Sequence, residues 1–156
     1  MNDALREFLA KVLDWQEAHA RFDTAIADLP AELRGTRPEG SPHSVWELVE
    51  HIRLTQRDIL DFCRDENYEE RKWPDDYWPG TAAPPSTEAW DDSISGYHAD
   101  LEAFKRLVRD PDFDLFAKVP WGSGQTHMRE VVLTADHTAY HVGQIVLVRR
   151  LLGAWG

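Results

Sequence analysis

Residues 127–152 read HMREVVLTADHTAYHVGQIVLVRRLL, and apolar side chains recur along this stretch at helical spacing. They occur on nearly every face of the helix that the spacing predicts, so we expect this helix to be buried on several sides. Thr126 is a suitable N-cap before it, and Gly153 is a suitable residue to end it. In a chain of only 156 residues, such burial predicts a central helix that also forms part of a subunit interface.

A first helix is predicted at the other end of the chain. Its apolar periodicity runs from about residue 3 to residue 29, where Pro30 stops it. The predicted inward face of this helix consists of Leu5, Phe8, Val12, Trp15, His19, Phe22 and Ile26.

Two further amphipathic helices are predicted between these ends. One covers residues 44–64 and begins with Ser44 and Glu47, the S-x-x-E pattern of a capping box. The other covers residues 87–109, with its cap at Ser86 or at the threonine that follows. Four helices without a strong strand pattern predict an all-α fold, a four-helix bundle.

The connection between the second and third helices is unusually long. Residues 65–86, DENYEERKWPDDYWPGTAAPPS, contain four prolines and the tryptophans Trp73 and Trp78, and we call this segment the flap. Long connections in compact domains are mostly functional or disordered, and the aromatic content favours an ordered segment. We expect a crossover loop that either packs on the bundle or covers a site, within a single domain of residues 1–156.

The composition excludes several classes of protein. The chain has 28 acidic and 17 basic residues, a formal net charge of −11, which excludes binding to nucleic acid or to an anionic membrane surface. Eleven acidic and three basic residues lie within 58–92, so the negative charge is concentrated around the flap. The single cysteine, Cys63, excludes an internal disulfide and a multi-thiolate zinc site. The sequence shows no membrane span and no signal-peptide pattern, so a cytoplasmic protein is expected.

Three histidines have the spacing of a metal site. His137 and His141 are four residues apart, so they lie one turn apart on one face of the predicted last helix. His51 lies at the edge of the apolar face of the second helix. Three inward histidines on two helices suit Zn²⁺, Ni²⁺ or Fe²⁺ with an open coordination position. The alternative is that they are packed polar groups.

Other polar side chains are candidates for the surroundings of this site. His19 is a candidate fourth ligand or supporting group, or else a packed core histidine, and Gln144 could hold a hydrogen bond beside the site. Carboxylates that could orient a ligand histidine are Glu47, Glu50, Asp58 and Asp136. The histidines expected at the surface are His43, His98 and His127.

These motifs together resemble the DinB/YfiT-like superfamily. The resemblance rests on Trp46 followed by His51, on HTAYHVGQIVLVRR at residues 137–150, and on YWP at residues 77–79, and it covers essentially the whole chain. It implies a four-helix bundle, a homodimer, and a divalent metal ion held by His51, His137 and His141. It also implies transfer or isomerisation reactions that use a low-molecular-weight thiol such as bacillithiol, mycothiol or glutathione.

Three functions fit such a site. In a metal-dependent thiol S-transferase, the metal would hold a thiol as its thiolate, which attacks a small electrophilic molecule. In a metal-dependent hydrolase, the metal would generate hydroxide from bound water. In a non-enzymatic module, the metal would stabilise a dimeric bundle that binds a small molecule or a partner. The candidate pocket walls are Trp46, Trp73, Trp78 and Trp121.

Overall fold

A computed structural model describes residues 3–156, and within that range the chain is all-helical without a strand. The helices are α1 (Asp3–Val12), α2 (Phe22–Ile26), α3 (Val45–Arg64), α4 (Thr87–Arg109) and α5 (His127–Leu151). Short 3₁₀ turns lie at Ala31–Leu33 and Asp75–Tyr77, and an isolated β-bridge joins Lys118 to Thr126. The predicted all-α class is therefore confirmed.

The four longer helices pack side by side. Helix α3 lies against both α4 and α5, α1 lies mainly against α4, and the short α2 lies against α5. These contacts are compatible with a four-helix bundle. No helix in residues 3–156 combines the length and the apolar character needed to cross a membrane.

The start of α3 is fixed by its own sequence. Glu47 N–H donates to Ser44 Oγ at 3.2 Å, and Ser44 N–H donates to a Glu47 carboxylate oxygen at 2.8 Å, which forms the predicted capping box. The α3 residues Val45, Val49 and Ile52 are fully buried, so the predicted apolar face is the one that packs. This cap and face set the rotation of α3 and therefore the direction in which His51 points.

The other two long helices also agree with their predicted bounds. Helix α4 begins after Ser86, whose hydroxyl accepts from Ala89 N–H at 3.2 Å. Helix α5 begins after Thr126, which caps it in the same way through Arg129 N–H. Gly153 follows the end of α5 with φ of 68°, a conformation that glycine adopts without strain.

The predicted first helix is wrong in length and in face. The structure has α1 and α2 in place of one helix over residues 3–29, and Trp15 and His19, which lie between them, are exposed. Helix α2 is held separately: the Phe22 ring stacks on Tyr97 at 3.9 Å, and Ala25 C=O accepts from the buried Arg149 guanidinium at 2.8 Å. Tertiary contacts thus override the local periodicity.

The buried face of α1 is rotated from the predicted one. It consists of Arg6, Leu9 and Ala10, whereas the Phe8 side chain is 51% exposed. Arg6 is buried because its guanidinium donates to Val108 C=O at 2.7 Å and to Phe113 C=O at 2.8 Å. A polar group of α1 therefore satisfies carbonyls at and beyond the C-terminal end of α4.

The flap contacts α3 and the loop that precedes it. Ser44 Oγ donates to Ala82 C=O at 2.5 Å, and a Cβ at Gly35 would lie 2.3 Å from the Cβ of Ala83, so this close approach requires glycine. Tyr77 Oη donates to the Asp58 carboxylate at 2.7 Å. The flap therefore contacts α3 through one of its aromatic residues.

One face of α5 has no cover within the described chain. Val132, Tyr140, Leu147 and Leu151 are each at least half exposed, and a Cβ placed at Gly143 would meet nothing within 4 Å. The remaining faces of α5 carry buried residues such as Val142 and Ile145. Several faces of α5 are therefore apolar, as predicted, but the described chain covers only some of these faces.

Candidate metal centre

The structure brings together the three histidines that the spacing singled out. His51 comes from α3, and His137 and His141 come from adjacent turns of α5. One ring nitrogen from each lies within 4.8 Å of the others, and Nε2 of His51 is 3.0 Å from Nε2 of His137. Two nitrogens bound tetrahedrally to one zinc ion lie about 3.3 Å apart. The cluster is therefore compatible with a divalent metal ion.

Hydrogen bonds fix the protonation of two of these rings. His51 Nδ1 lies 2.7 Å from Tyr77 C=O, which can only accept, so Nδ1 carries the hydrogen and Nε2 keeps its lone pair. His141 Nδ1 donates in the same way to Gln144 Oε1 at 2.6 Å, and Gln144 Nε2 donates to Tyr140 Oη at 3.3 Å. A partner at one ring nitrogen is the arrangement that supports metal binding through the other.

Burial keeps the three rings neutral. Burial lowers the pKa of His137 to about 3, with the neighbouring His141 and His51 adding to the effect. It also lowers the pKa of His141 to about 4 and shifts that of His51 downward. A neutral imidazole is the form that binds a metal ion, so at neutral pH the donor set is ready without losing protons.

The three histidines face a cavity of about 460 Å³. Its walls are mainly aromatic and aliphatic, with two polar groups on the α3 side. The residues that line it besides the histidines are Thr55, Asp58, Ile59, Trp73, Tyr77, Trp78, Leu133 and Tyr140. Three of them, Trp73, Tyr77 and Trp78, come from the flap, so this segment forms one side of the cavity. A small molecule in this space would be held between the flap and α5.

Trp78 joins the flap to the histidine cluster. Its ring stacks on His51 with centroids 3.8 Å apart and planes parallel to within 1°. Its opposite face stacks on His43 at 4.1 Å, so the indole lies between two imidazoles. His43, expected at the surface, is therefore half-buried against Trp78, and the flap fixes the plane of the His51 ring as well as its hydrogen bond.

Several of the candidate residues lie elsewhere. Trp46 is buried in the core, 6.4 Å from Trp90 in centroid distance, and does not line the cavity. Glu47 is held by Arg37 and by the capping box, because it serves the start of α3. His19 is exposed in a separate cavity between α1 and α5, because the predicted first helix ends before it. Trp121 lines a neighbouring recess.

Among the candidate carboxylates and the remaining histidines, some lie at the cavity and others lie away from it. Asp58 lines the cavity, whereas Glu50 is paired with Arg53 and Asp136 is exposed. The remaining histidines do not join the cluster: His98 Nε2 lies 2.8 Å from an Asp23 carboxylate oxygen, and His127 is buried with its Nδ1 2.8 Å from Asp114 C=O. His127 was expected at the surface and is buried because the preceding loop folds over the start of α5.

Two contributions to the site were not predicted from the sequence. The carbonyl that fixes His51 belongs to Tyr77, and any residue could supply it. The Tyr140 hydroxyl supports Gln144, and only the i, i+4 spacing of these two residues on α5 could have indicated it.

Comparison with known protein families matches residues 14–145 to the DinB superfamily. No curated protein matches the chain, and no solved structure matches it.

Proposed function

The chain belongs to the DinB superfamily, and on that premise we propose that it is a divalent-metal-binding thiol S-transferase acting on small electrophilic molecules. His51, His137 and His141 hold the ion, which is zinc, nickel or iron. The observation that carries this proposal is the pair of Nε2 lone pairs, one fixed by Tyr77 and one by Gln144, that converge with His137 beside a cavity.

The chain's own residues define the rest of the site. A bound metal ion of this kind lowers the pKa of a thiol and holds it as a thiolate at neutral pH. Tyr77 C=O and Gln144 Oε1 keep the rings of His51 and His141 in position. Trp73, Trp78 and Leu133 line the cavity and give it apolar walls beside the histidines. Three protein ligands leave a coordination position for the thiol.

The proposal includes the assembly. The four long helices form a four-helix bundle, and the flap is a crossover connection between α3 and α4. Two chains form a homodimer through the uncovered face of α5, where Val132, Leu147 and Leu151 are about half exposed. Burying large apolar side chains of this kind is the main driving force of association.

The activity is tested with thiols and an aromatic electrophile. The metal-loaded protein is expected to consume 1-chloro-2,4-dinitrobenzene in the presence of glutathione, bacillithiol or mycothiol, with absorbance recorded over time. The His137→Ala variant should lose this rate, because one of its three metal ligands is gone. The matched control is His19→Ala, an exposed histidine outside the cluster, which should keep the full rate. A thiol-dependent rate that is equal in both variants contradicts the proposal.

Hydrolysis is a second candidate because a carboxylate, that of Asp58, lines the same cavity as the histidines. A metallohydrolase needs a general base for its metal-bound water, and Asp58, about two helical turns from His51, would have to act through an intervening water. Cleavage of an ester such as p-nitrophenyl acetate without any thiol, abolished in His137→Ala, would favour this function over thiol transfer. Metal binding without either activity would favour the non-enzymatic binding module.

A further inference from the structure

A second cavity adjoins the one that the histidines face. It has a volume of about 430 Å³ and shares four lining residues with the metal cavity: Asp58, Ile59, Tyr77 and Leu133. We call this second cavity the side recess. Asp58 is seven residues after His51 on α3, which places it about 10 Å further along the helix axis. A molecule bound at the histidines could therefore extend into the side recess.

The polar groups at the junction have a defined hydrogen-bond direction. Tyr68 Oη donates to Asp58 Oδ1 at 3.1 Å, and Tyr77 Oη donates to Asp58 Oδ2 at 2.7 Å. Burial, together with the charge of Asp58, raises the pKa of both tyrosines, so both hydroxyls keep their protons. Since each proton is directed at Asp58, each phenolic oxygen offers only lone pairs to a ligand. The two phenolic oxygens therefore accept hydrogen bonds from a ligand and donate none to it.

The side recess has an excess of negative charge. Asp58, Glu70 and Glu130 line it. Arg71 lies 3.5 Å from Asp58, and Arg129, which also lines the recess, lies 2.8 Å from Glu130. Each arginine is therefore paired with a carboxylate, and Glu70 remains as an additional negative charge.

Aromatic side chains complete the walls. Phe62 and Trp121 line the side recess together with the two tyrosines, and Trp121 is fixed by its Nε1–H donating to Phe62 C=O at 2.9 Å. Aromatic faces attract organic cations, and the attraction is stronger in a partly desolvated site. Acceptor oxygens, excess negative charge and aromatic faces are three separate features, and all three favour the same kind of ligand.

We propose that the side recess binds a protonated amine, so that the substrate carries an ammonium group about two helical turns from its metal-bound end. An ammonium group has three donors, which match Tyr68 Oη, Tyr77 Oη and the Asp58 carboxylate. A carboxylate or phosphate would meet lone pairs and like charge in the same place. The statement that the other end of the substrate binds the metal rests on the proposed function. The statement that the side recess binds an amine does not.

The test uses three probes that share a skeleton and differ in charge: phenethylamine, 2-phenylethanol and 3-phenylpropanoate. Binding to the full zinc-loaded chain is measured by titration calorimetry at pH 8, chosen well above the usual carboxyl range because burial raises the pKa of Asp58. We expect the amine to bind about tenfold more tightly than the alcohol and the carboxylate to bind most weakly. Equal affinities, tighter binding of the carboxylate, or no measurable binding of the amine at millimolar concentration overturns the proposal.

Variants assign the effect to the recess. Asp58→Asn and Tyr68→Phe should each reduce the affinity for phenethylamine about tenfold and leave that for 2-phenylethanol unchanged. Tyr68→Phe removes a single oxygen, so it keeps the test valid if Asp58→Asn does not fold. The matched control is Asp75→Asn, which makes the same charge change at an exposed flap position that pairs with Lys72. Unchanged amine affinity in both recess variants overturns the proposal.

Metal analysis of the same samples separates this inference from the proposed function. If the protein has full metal content but does not prefer the amine, only the proposal of an amine site in the side recess is refuted. Selective amine binding by a protein that holds no metal refutes the thiol transferase and leaves the side recess as a binding site.

Discussion

Replacing His137 by alanine is expected to reduce the metal content of the protein from about one ion per chain to almost none. His137 is one of three imidazoles whose nitrogens lie within 4.8 Å of one another, and two imidazoles are a weak site for a divalent ion. The loss of affinity should be at least about 100-fold, since even the removal of groups that only support a ligand costs up to that much. The measurement is elemental analysis of protein purified without a histidine tag.

A graded series tests whether the cluster acts as one site. His51→Ala and His141→Ala should behave like His137→Ala. Gln144→Ala should lower the affinity only about tenfold, because it removes the acceptor that orients His141 and leaves all three ligands in place. His19→Ala should retain full metal content, since this histidine is exposed and outside the cluster. Equal metal content in the wild type and in His137→Ala would exclude the site.

Replacing Arg6 by alanine should destabilise the fold by about 3 kcal/mol or more. The Arg6 side chain is 4% exposed and donates to three carbonyls, those of Val108, Pro111 and Phe113. The substitution leaves the buried Val108 carbonyl and the partly buried Phe113 carbonyl without this donor and opens a cavity, and an unsatisfied buried group costs about 1–3 kcal/mol. A domain of this size is stable by only about 5–15 kcal/mol, so urea unfolding should show a large shift of the midpoint.

Arg109 provides the matched control. It belongs to the same end of α4, but its partner is Glu7 at 2.9 Å, and the two side chains are 44% and 62% exposed. An exposed ion pair contributes about 1 kcal/mol at most, so Arg109→Ala should shift unfolding only slightly. Arg6→Lys keeps the charge without the planar donors and should fall between the two alanine variants. A small effect of Arg6→Ala, equal to that of Arg109→Ala, would contradict this role.

The sequence was sufficient for α3, α4 and α5 because their signals are local. Ser44, Ser86 and Thr126 each accept a backbone N–H at the predicted start of a helix, and such caps depend only on residues within one turn. The buried faces of α3 and α4 follow the same short-range periodicity. Where local propensity, capping and patterning agree, the predicted helix is the observed one.

The first helix could not be derived in this way. Its periodicity continues past Val12, but the reasons for the break lie far away in the sequence, in Tyr97 and Arg149. Arg6 was not recognised as buried, because an arginine is rarely inside unless its donors are satisfied, and the carbonyls that satisfy them follow α4. The face of α1 is set by these contacts at more than 100 residues of separation.

In the candidate site, too, features with local sequence signals were predicted and features that depend on distant residues were not. The spacing of His137 and His141 was sufficient to place them together, and the capped α3 directed His51 toward them. The flap was recognisable as aromatic, but the stacking of Trp78 on His43 and His51 was not, because these histidines lie 35 and 27 positions before it. Trp46 has the same chemistry as Trp78, yet it belongs to the core.

X-ray absorption at the metal edge of the wild-type protein tests whether these histidines hold an ion. We expect a spectrum with multiple scattering from about three imidazole rings and metal–nitrogen distances of about 2.0–2.1 Å. The His51→Ala variant, freed of unbound metal, should give almost no signal at the metal edge, because two imidazoles are a weak site. A spectrum from oxygen ligands alone, unchanged in that variant, would contradict the assignment of His51, His137 and His141 as the metal site.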